Sequence, residues 1–519
     1  MRLGIVFACF GIATVSTPTC ARRNCGDAAR FVLEINEQVQ VKQGVGQMNG
    51  IEATAREHRL IGETVVGLCL FATVAISTAA AAQFTTLHRF AGTDGYQPEG
   101  ALVQATNGDL YGITTFGGIN GNGTIYKITP GGALTTVYSF CAQSGCPDGN
   151  NPFSAPIQAT DGNLYGASPY GGAYGFGTIY RLTLNGTLTT LYSFNNTDGA
   201  NPSGNLIQAA NGHLYGTTTF GGPSNDGTVF KITTSGTLTT LHSFDGTDGA
   251  NTQVGLTQAK SGDFYGVTEL GGNGYGTVFK MTSTGNLTTL HSFDNSDGAY
   301  PLTPLIQATN GDFYSTTSAG GLGGAGTVYK LTASGTLTTI YTFCVQPGCP
   351  DGSYPAGALI QATNGDFYGT TFGGGSSGAG VIFQFSARAT PVVVHSFGGT
   401  GGVNPIEAGV IQDTNGSFYG NTAAGGAGNL GTLYSLSLGL GAFVESQVSS
   451  GKAGATVKIL GSNLTGASKV SFNGTAATFT VVSKSEIVTM VPTGATTGVI
   501  EVTTPGGVLK SNKMFTVTS

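Results

Sequence analysis

Short apolar runs alternate with polar turns through the middle of the chain, and the same order of runs returns about every fifty residues. One copy reads Leu206 to Ala209, Leu214 to Thr218, Thr228 to Thr233 and Leu238 to Phe244, which are four strand-like runs. An anchoring tyrosine recurs at Tyr111, Tyr165, Tyr215, Tyr265, Tyr314, Tyr368 and Tyr419, at spacings of 54, 50, 50, 49, 54 and 51. Four strands per period of about fifty predict the blade of a β-propeller. Asn107-Gly108, Asp161-Gly162, Asn211-Gly212, Asn310-Gly311, Asn364-Gly365 and Asn415-Gly416 lie between the first two runs of their copies and predict two-residue hairpins with positive φ at both positions. Antiparallel order then puts the tight turns on one face and the longer Gly-Gly and Asp-Gly loops on the other.

The ends of the array do not match its period. Thr85 to Phe90 reads as a fourth strand standing alone before the first copy, and the seventh copy stops near Leu436 without one. Pairing the first with the last predicts a seven-bladed β-propeller closed by an N-terminal strand, with no open sheet edge. An open β-solenoid is the alternative.

Composition narrows the class. Of 519 residues 9% are charged, 86 are Gly and none is Trp, as expected of short strands joined by turns. Residues 83–438 hold eight Lys plus Arg against eighteen Asp plus Glu, a field that argues against nucleic acid. Residues 1–82 read as a leader. Val65 to Ile76 is an apolar run preceded by Arg56 and Arg59, and Ala80-Ala81-Ala82 offers a cleavage site before Gln83. Translation from Met48 would give a signal peptide of ordinary length; a membrane anchor at Thr64 to Ala82 is the other reading. After cleavage no membrane attachment is expected, and the protein is placed outside the cell or on its surface. Cys141 with Cys146 and Cys344 with Cys349 recur in matched four-residue insertions, and local disulfides are expected there; a metal clip is the alternative.

The phrases Leu-Tyr-Gly-Thr-Thr, Gly-Gly and Gly-Thr-Val-Phe-Lys-Ile-Thr resemble the GloVer tandem repeat, named for Gloeobacter and Verrucomicrobia, over residues 83–438. That resemblance implies an exported β-rich bacterial repeat protein with no established activity. Residues 439–519 abandon the period. Val457, Ile459, Val470 and Phe472 mark half-buried strands, and the segment resembles an IPT/TIG domain. It implies an immunoglobulin-like sandwich serving as a spacer or adhesion module.

Candidate chemistry is thin. Asp94, Asp148, Asp198, Asp248, Asp297 and Asp351 recur in the Asp-Gly connection, where the seventh copy has Gly401-Gly402. They form either an acidic ring at the channel mouth or caps of their own turns. Asp245 with Asp248 and Asp294 with Asp297 offer a possible Ca2+ loop; otherwise no cofactor is expected. Gln104, Gln158, Gln208, Gln258, Gln307, Gln361 and Gln412 hold one place in every first strand, suited to satisfying backbone groups between blades. His88, His242, His291 and His395 interchange with Tyr138, Tyr192 and Tyr341 and read as packing residues with a polar tip. Tyr174, Phe176 and Tyr275 are expected to face a ligand, whereas Phe116, Tyr170, Phe220 and Phe372, which precede Gly-Gly, are expected to plug the space between blades. Only Glu99, Glu269 and Glu407 break the symmetry as an active site would. The expectation is a non-catalytic binding or adhesion protein for a polysaccharide or an extracellular protein. A propeller-type glycan hydrolase or lyase and a structural surface protein are the alternatives.

Overall fold

In a computed structural model, residues 82–387, 390–406 and 409–518 are described. The expected leader, through Ala81, and Glu407 lie outside them. Seven antiparallel sheets follow one another from Gln83 to Ser437, each with four strands in meander order and the sixth with one short extra strand. The third sheet is typical: Ile207–Gln208, Leu214–Thr218, Thr228–Ile232 and Leu238–Ser243. Its glycine has a steric cause. Gly216 stands opposite Phe230, and a Cβ there would lie 2.6 Å from the ring. The same collision recurs between Gly112 and Tyr126 and between Gly420 and Tyr434.

The first described strand, Gln83–Arg89, pairs with Thr432–Ser437 of the seventh sheet. It carries a register shift between Thr86 and His88, as the other fourth strands do between their matching residues. Thus the lone N-terminal strand supplies what the seventh copy lacks.

Apolar packing links each sheet to the next. Phe194 and Tyr165 of the second sheet meet Leu214 and Phe230 of the third in one buried cluster. A like cluster joins Leu102, Leu110 and Tyr126 of the first sheet to Tyr419 and Leu433 of the seventh, with Phe90 from the closing strand among them. Burial of such rings stabilises by roughly 1.5–3 kcal/mol each.

The glutamines supply a second, polar link. Each Oε1 accepts a backbone N–H from the sheet before it: Thr106 to Gln158, Thr160 to Gln208, Ala210 to Gln258, Lys260 to Gln307, Thr309 to Gln361 and Thr363 to Gln412. The Thr414 N–H reaches Gln104 at 3.1 Å and completes the circle. Most of these glutamines also donate to the glycine carbonyl of their own turn, as Gln158 does to Gly162 at 2.9 Å.

The turns differ from the expected form. Of the Asn-Gly residues only the glycine has positive φ, as at Gly108 (φ 84°), and the Gly108 N–H bonds the Ala105 carbonyl. This is a type I turn followed by a left-handed glycine. Asparagine keeps negative φ because its side chain is committed elsewhere: Asn107 Oδ1 accepts from the Asp109 N–H, and Nδ2 donates to the hydroxyl of Tyr111. The same tie to the anchoring tyrosine recurs at Asn211, Asn310, Asn364 and Asn415.

Beyond Leu438 two further four-stranded sheets face each other around a core of Val457, Ile459, Val470, Phe472, Ile487 and Val502. This small sandwich sits against the Asn-Gly turns. Ser485 Oγ donates to the Thr106 carbonyl at 2.8 Å, Thr414 and Ser462 hydroxyls lie 3.0 Å apart, and Gln447 Nε2 donates to Gln158 Oε1 at 3.1 Å. Contact is close enough that a Cβ on Gly416 would stand 2.2 Å from the Leu440 carbonyl.

Candidate functional site

At the long-loop end of the sheets, each recurring aspartate closes a clip. Asp248 Oδ2 lies 2.7 Å from His242 Nε2, and its Oδ1 accepts the Asp245 N–H. Asp94 pairs with His88 and Asp297 with His291 in the same way. Where the fourth strand carries tyrosine, the hydroxyl donates instead: Tyr138 to Asp148, Tyr192 to Asp198 and Tyr341 to Asp351. Histidine and tyrosine interchange because either can donate to the same carboxylate. The seventh connection has Gly401 in place of aspartate, and His395 stacks instead on Phe84, with centroids 3.8 Å apart and planes 5° from parallel. Burial pushes the His395 pKa down.

Asp245 and Asp294 cap their own loops. Asp245 Oδ1 accepts the Thr247 hydroxyl and N–H, and Asp294 does the same with Ser296. These bonds hold both carboxyls below the usual range. Among the described residues, no three His, Cys, Asp or Glu side chains are placed to share a metal ion. Disulfides join Cys141 to Cys146 and Cys344 to Cys349 in the enlarged connections, as expected.

The aromatic residues divide differently from the sequence reading. Tyr174 is 63% and Phe176 38% exposed, but Tyr275 is half-buried beside Tyr300 and packs on the cluster between the fourth and fifth sheets. Tyr170, Phe220 and Phe372, expected as interior plugs, are 42%, 40% and 38% exposed. The inter-sheet space is already filled by third-strand rings such as Tyr180 and Phe230, so these side chains are left on the outside. Ile119, Leu270 and Leu322 are exposed at the same end.

Two symmetry-breaking glutamates sit just inside this rim. Glu99 is buried between the Thr115 hydroxyl at 2.6 Å and the Gln97 amide at 2.7 Å, and burial raises its pKa. Glu269 accepts from Gln253, and burial raises its pKa too. One acidic group escaped the sequence reading. Asp413 stands where sister copies have Ala105, Ala159 and Ala209; it is 1% exposed, with Oδ1 on the Asn415 N–H and Oδ2 without a hydrogen-bond partner among the described residues. Burial raises its pKa to about 6. The signal was present: a single charge in a position that is otherwise alanine.

Among the described residues no helix is long and apolar enough to cross a membrane. Similar solved structures include a copper-bound fungal alcohol oxidase of the AA5 family (13% identity, 84% of this chain and 99% of that one, TM-score 0.47). Others are a candidate 6-phosphogluconolactonase from Bacteroides uniformis (16%, 60% and 89%, 0.42) and a luciferin-regenerating enzyme (12%, 70% and 98%, 0.37). No curated protein sequence matches. The sequence pattern of the Gloeobacter/Verrucomicrobia repeat matches residues 71–274 and 260–482, nearly four-fifths of the chain. The chain therefore belongs to the Gloeobacter/Verrucomicrobia repeat family.

Proposed function

We propose that the seven sheets are the blades of a closed β-propeller, followed by an immunoglobulin-like sandwich of the IPT/TIG kind, in a secreted, non-catalytic protein that binds polysaccharide. The circle of glutamine bonds and the cluster joining first and seventh sheets support closure. Two local disulfides support export to an oxidising compartment. The observation that carries the binding role is the set of exposed rings at the long-loop end: Tyr170, Tyr174, Phe176, Phe220 and Phe372. Exposed aromatic groups carried on the loops of one end of a β-protein offer a binding surface, and flat rings beside Asn and Thr suit the C–H faces of sugar units. The opposite end is partly covered by the C-terminal sandwich, which leaves the long-loop end free for a long ligand.

The test is retention on insoluble polysaccharides such as cellulose, chitin and xylan, comparing the unaltered chain with Tyr174→Ala/Phe220→Ala. At least a tenfold loss of retention in the variant is expected; equal retention by both would refute the assignment. The enzyme reading draws on Glu99 and Glu269, two carboxyls raised by burial as general acids require. Both are held by neighbouring amides or hydroxyls in separate sheets, which favours a structural role. Polysaccharide turnover abolished by Glu269→Gln would reverse that preference.

A further inference from the structure

At the opposite end, between the glutamine circle and the C-terminal sandwich, lies a cavity of about 340 Å3. Gln208 and Gln258 form part of one wall; Gln447, Asn512, Glu445 and Lys513 of the sandwich form part of the other. The volume falls at the small end of the range of roughly 300–1,000 Å3 for small-molecule sites. We infer that this cavity is a second binding site, for a small neutral polyhydroxylated molecule such as a free monosaccharide or a cyclitol.

Three observations set the ligand's chemistry. The side-chain oxygens of Gln447 and Asn512 are shielded from solvent and meet no donor among the described residues. For Gln447 the orientation is fixed by its neighbour: Gln158 Oε1 already accepts the Thr106 N–H, so Gln447 must present its NH2 group there and its oxygen is left over. A buried acceptor without a donor is costly, and a ligand toward which either side chain turns from the cavity wall removes the cost by donating to it. Gln208 and Gln258 each keep one amide hydrogen and one lone pair after serving the circle and their own turns. The ligand must therefore both donate and accept, as hydroxyl groups do. Charge is balanced within the wall, since Lys513 Nζ lies 3.2 Å from Glu445 Oε1, which disfavours ions and leaves a neutral molecule. Val448, Met514 and Ala209 add apolar surface for ring carbons, and among the lining residues none is aromatic.

This site is independent of the long-loop end, so the two assignments can fail separately. The full chain should be titrated calorimetrically with D-glucose, D-galactose, D-xylose and myo-inositol, alongside potassium chloride. Saturable binding of at least one of the four at millimolar concentration or below is expected. Asn512→Ala and Gln447→Leu should each weaken it roughly 3- to 10-fold, the loss of one hydrogen bond to a ligand. Thermal unfolding of each variant shows that the fold survives. Binding of none of the four, affinity indifferent to both substitutions, or heat from potassium chloride alone would each overturn the inference.

Discussion

Six junctions between neighbouring sheets lie within the repeat array, and a seventh joins its two ends. All seven use the same two devices, a buried apolar cluster and a glutamine that accepts a backbone N–H from the preceding sheet. The closing junction differs in its details. The seventh sheet takes its fourth strand from the other end of the chain, and Asp413 replaces the usual alanine; at the junction just before it, between the sixth and seventh sheets, His395 stacks on Phe84 where sister residues grip an aspartate. Thr414 at the closing junction also touches the C-terminal sandwich through Ser462. The comparison teaches that strand pairing and packing repeat at every junction, while the decoration around them is free to change.

The largest test asks whether the closing junction is as strong as the others. Phe90→Ala and Phe194→Ala empty equivalent sites of the closing and second junctions, and each should cost about 3–5 kcal/mol by denaturant unfolding. A cost below about 1 kcal/mol for Phe90→Ala alone would mean that the ends are only loosely joined.

The next concerns pH. The carboxyl of Asp413 is protonated in both folded and unfolded chains below about pH 4, where it is neutral in its effect. Between about pH 4 and 6 the unfolded chain ionises first, so stability falls as pH rises, and above about 6 the loss is complete. From the two pKa values that loss is roughly 3 kcal/mol. Asp413→Ala should therefore match or slightly trail the unaltered chain at pH 4, because it forfeits the Asn415 bond, yet exceed it at pH 7.5. Unfolding curves at the two pH values check this; a difference that does not vary with pH would show that the buried carboxyl carries no such burden.

A smaller effect separates enlarged connections from short ones. Replacing Cys141 and Cys146 by serine opens a short loop and should cost about 2 kcal/mol in the chain-entropy model. The double change at Cys344 and Cys349 should match it, again by denaturant unfolding. The smallest concerns Tyr180 and Tyr434, whose buried hydroxyls meet no partner among the described residues and whose sister copies include Phe230 and Phe279. Tyr180→Phe and Tyr434→Phe should each stabilise by about 1 kcal/mol, measured as a raised unfolding midpoint.

Strand order and the displaced N-terminal strand were legible because they rest on counting: one unpaired run at the start and one missing at the end. The bridging role of the glutamines was legible for a related reason, since an amide recurring in every inner strand has seven equivalent neighbours to serve. The turns were misjudged at Asn107 and its sisters, where the dipeptide alone could not reveal that the asparagine side chain is held by Tyr111. Tyr170 and Phe220 were misjudged because recurrence marks a structural position without saying whether that position faces a neighbour or the solvent. The partnership of Asp248 with His242 was not legible, because His395 is kept in the one copy whose connection lacks aspartate, so the two residues do not vary together along the sequence. Nothing in the sequence announced where the sandwich sits, because Ser485, Ser462 and Gln447 make that contact by isolated polar bonds with no period.

The direction of the glutamine bonds carries one more consequence. Every copy lends its amide oxygen to the copy before it, so no copy is self-sufficient and each is interchangeable with its neighbours at that point. Duplication or exchange of a whole unit would preserve every lender and borrower along the chain. A unit broken off midway would strand one turn without its lender, and such a defect would show at the two edges of the break and nowhere else.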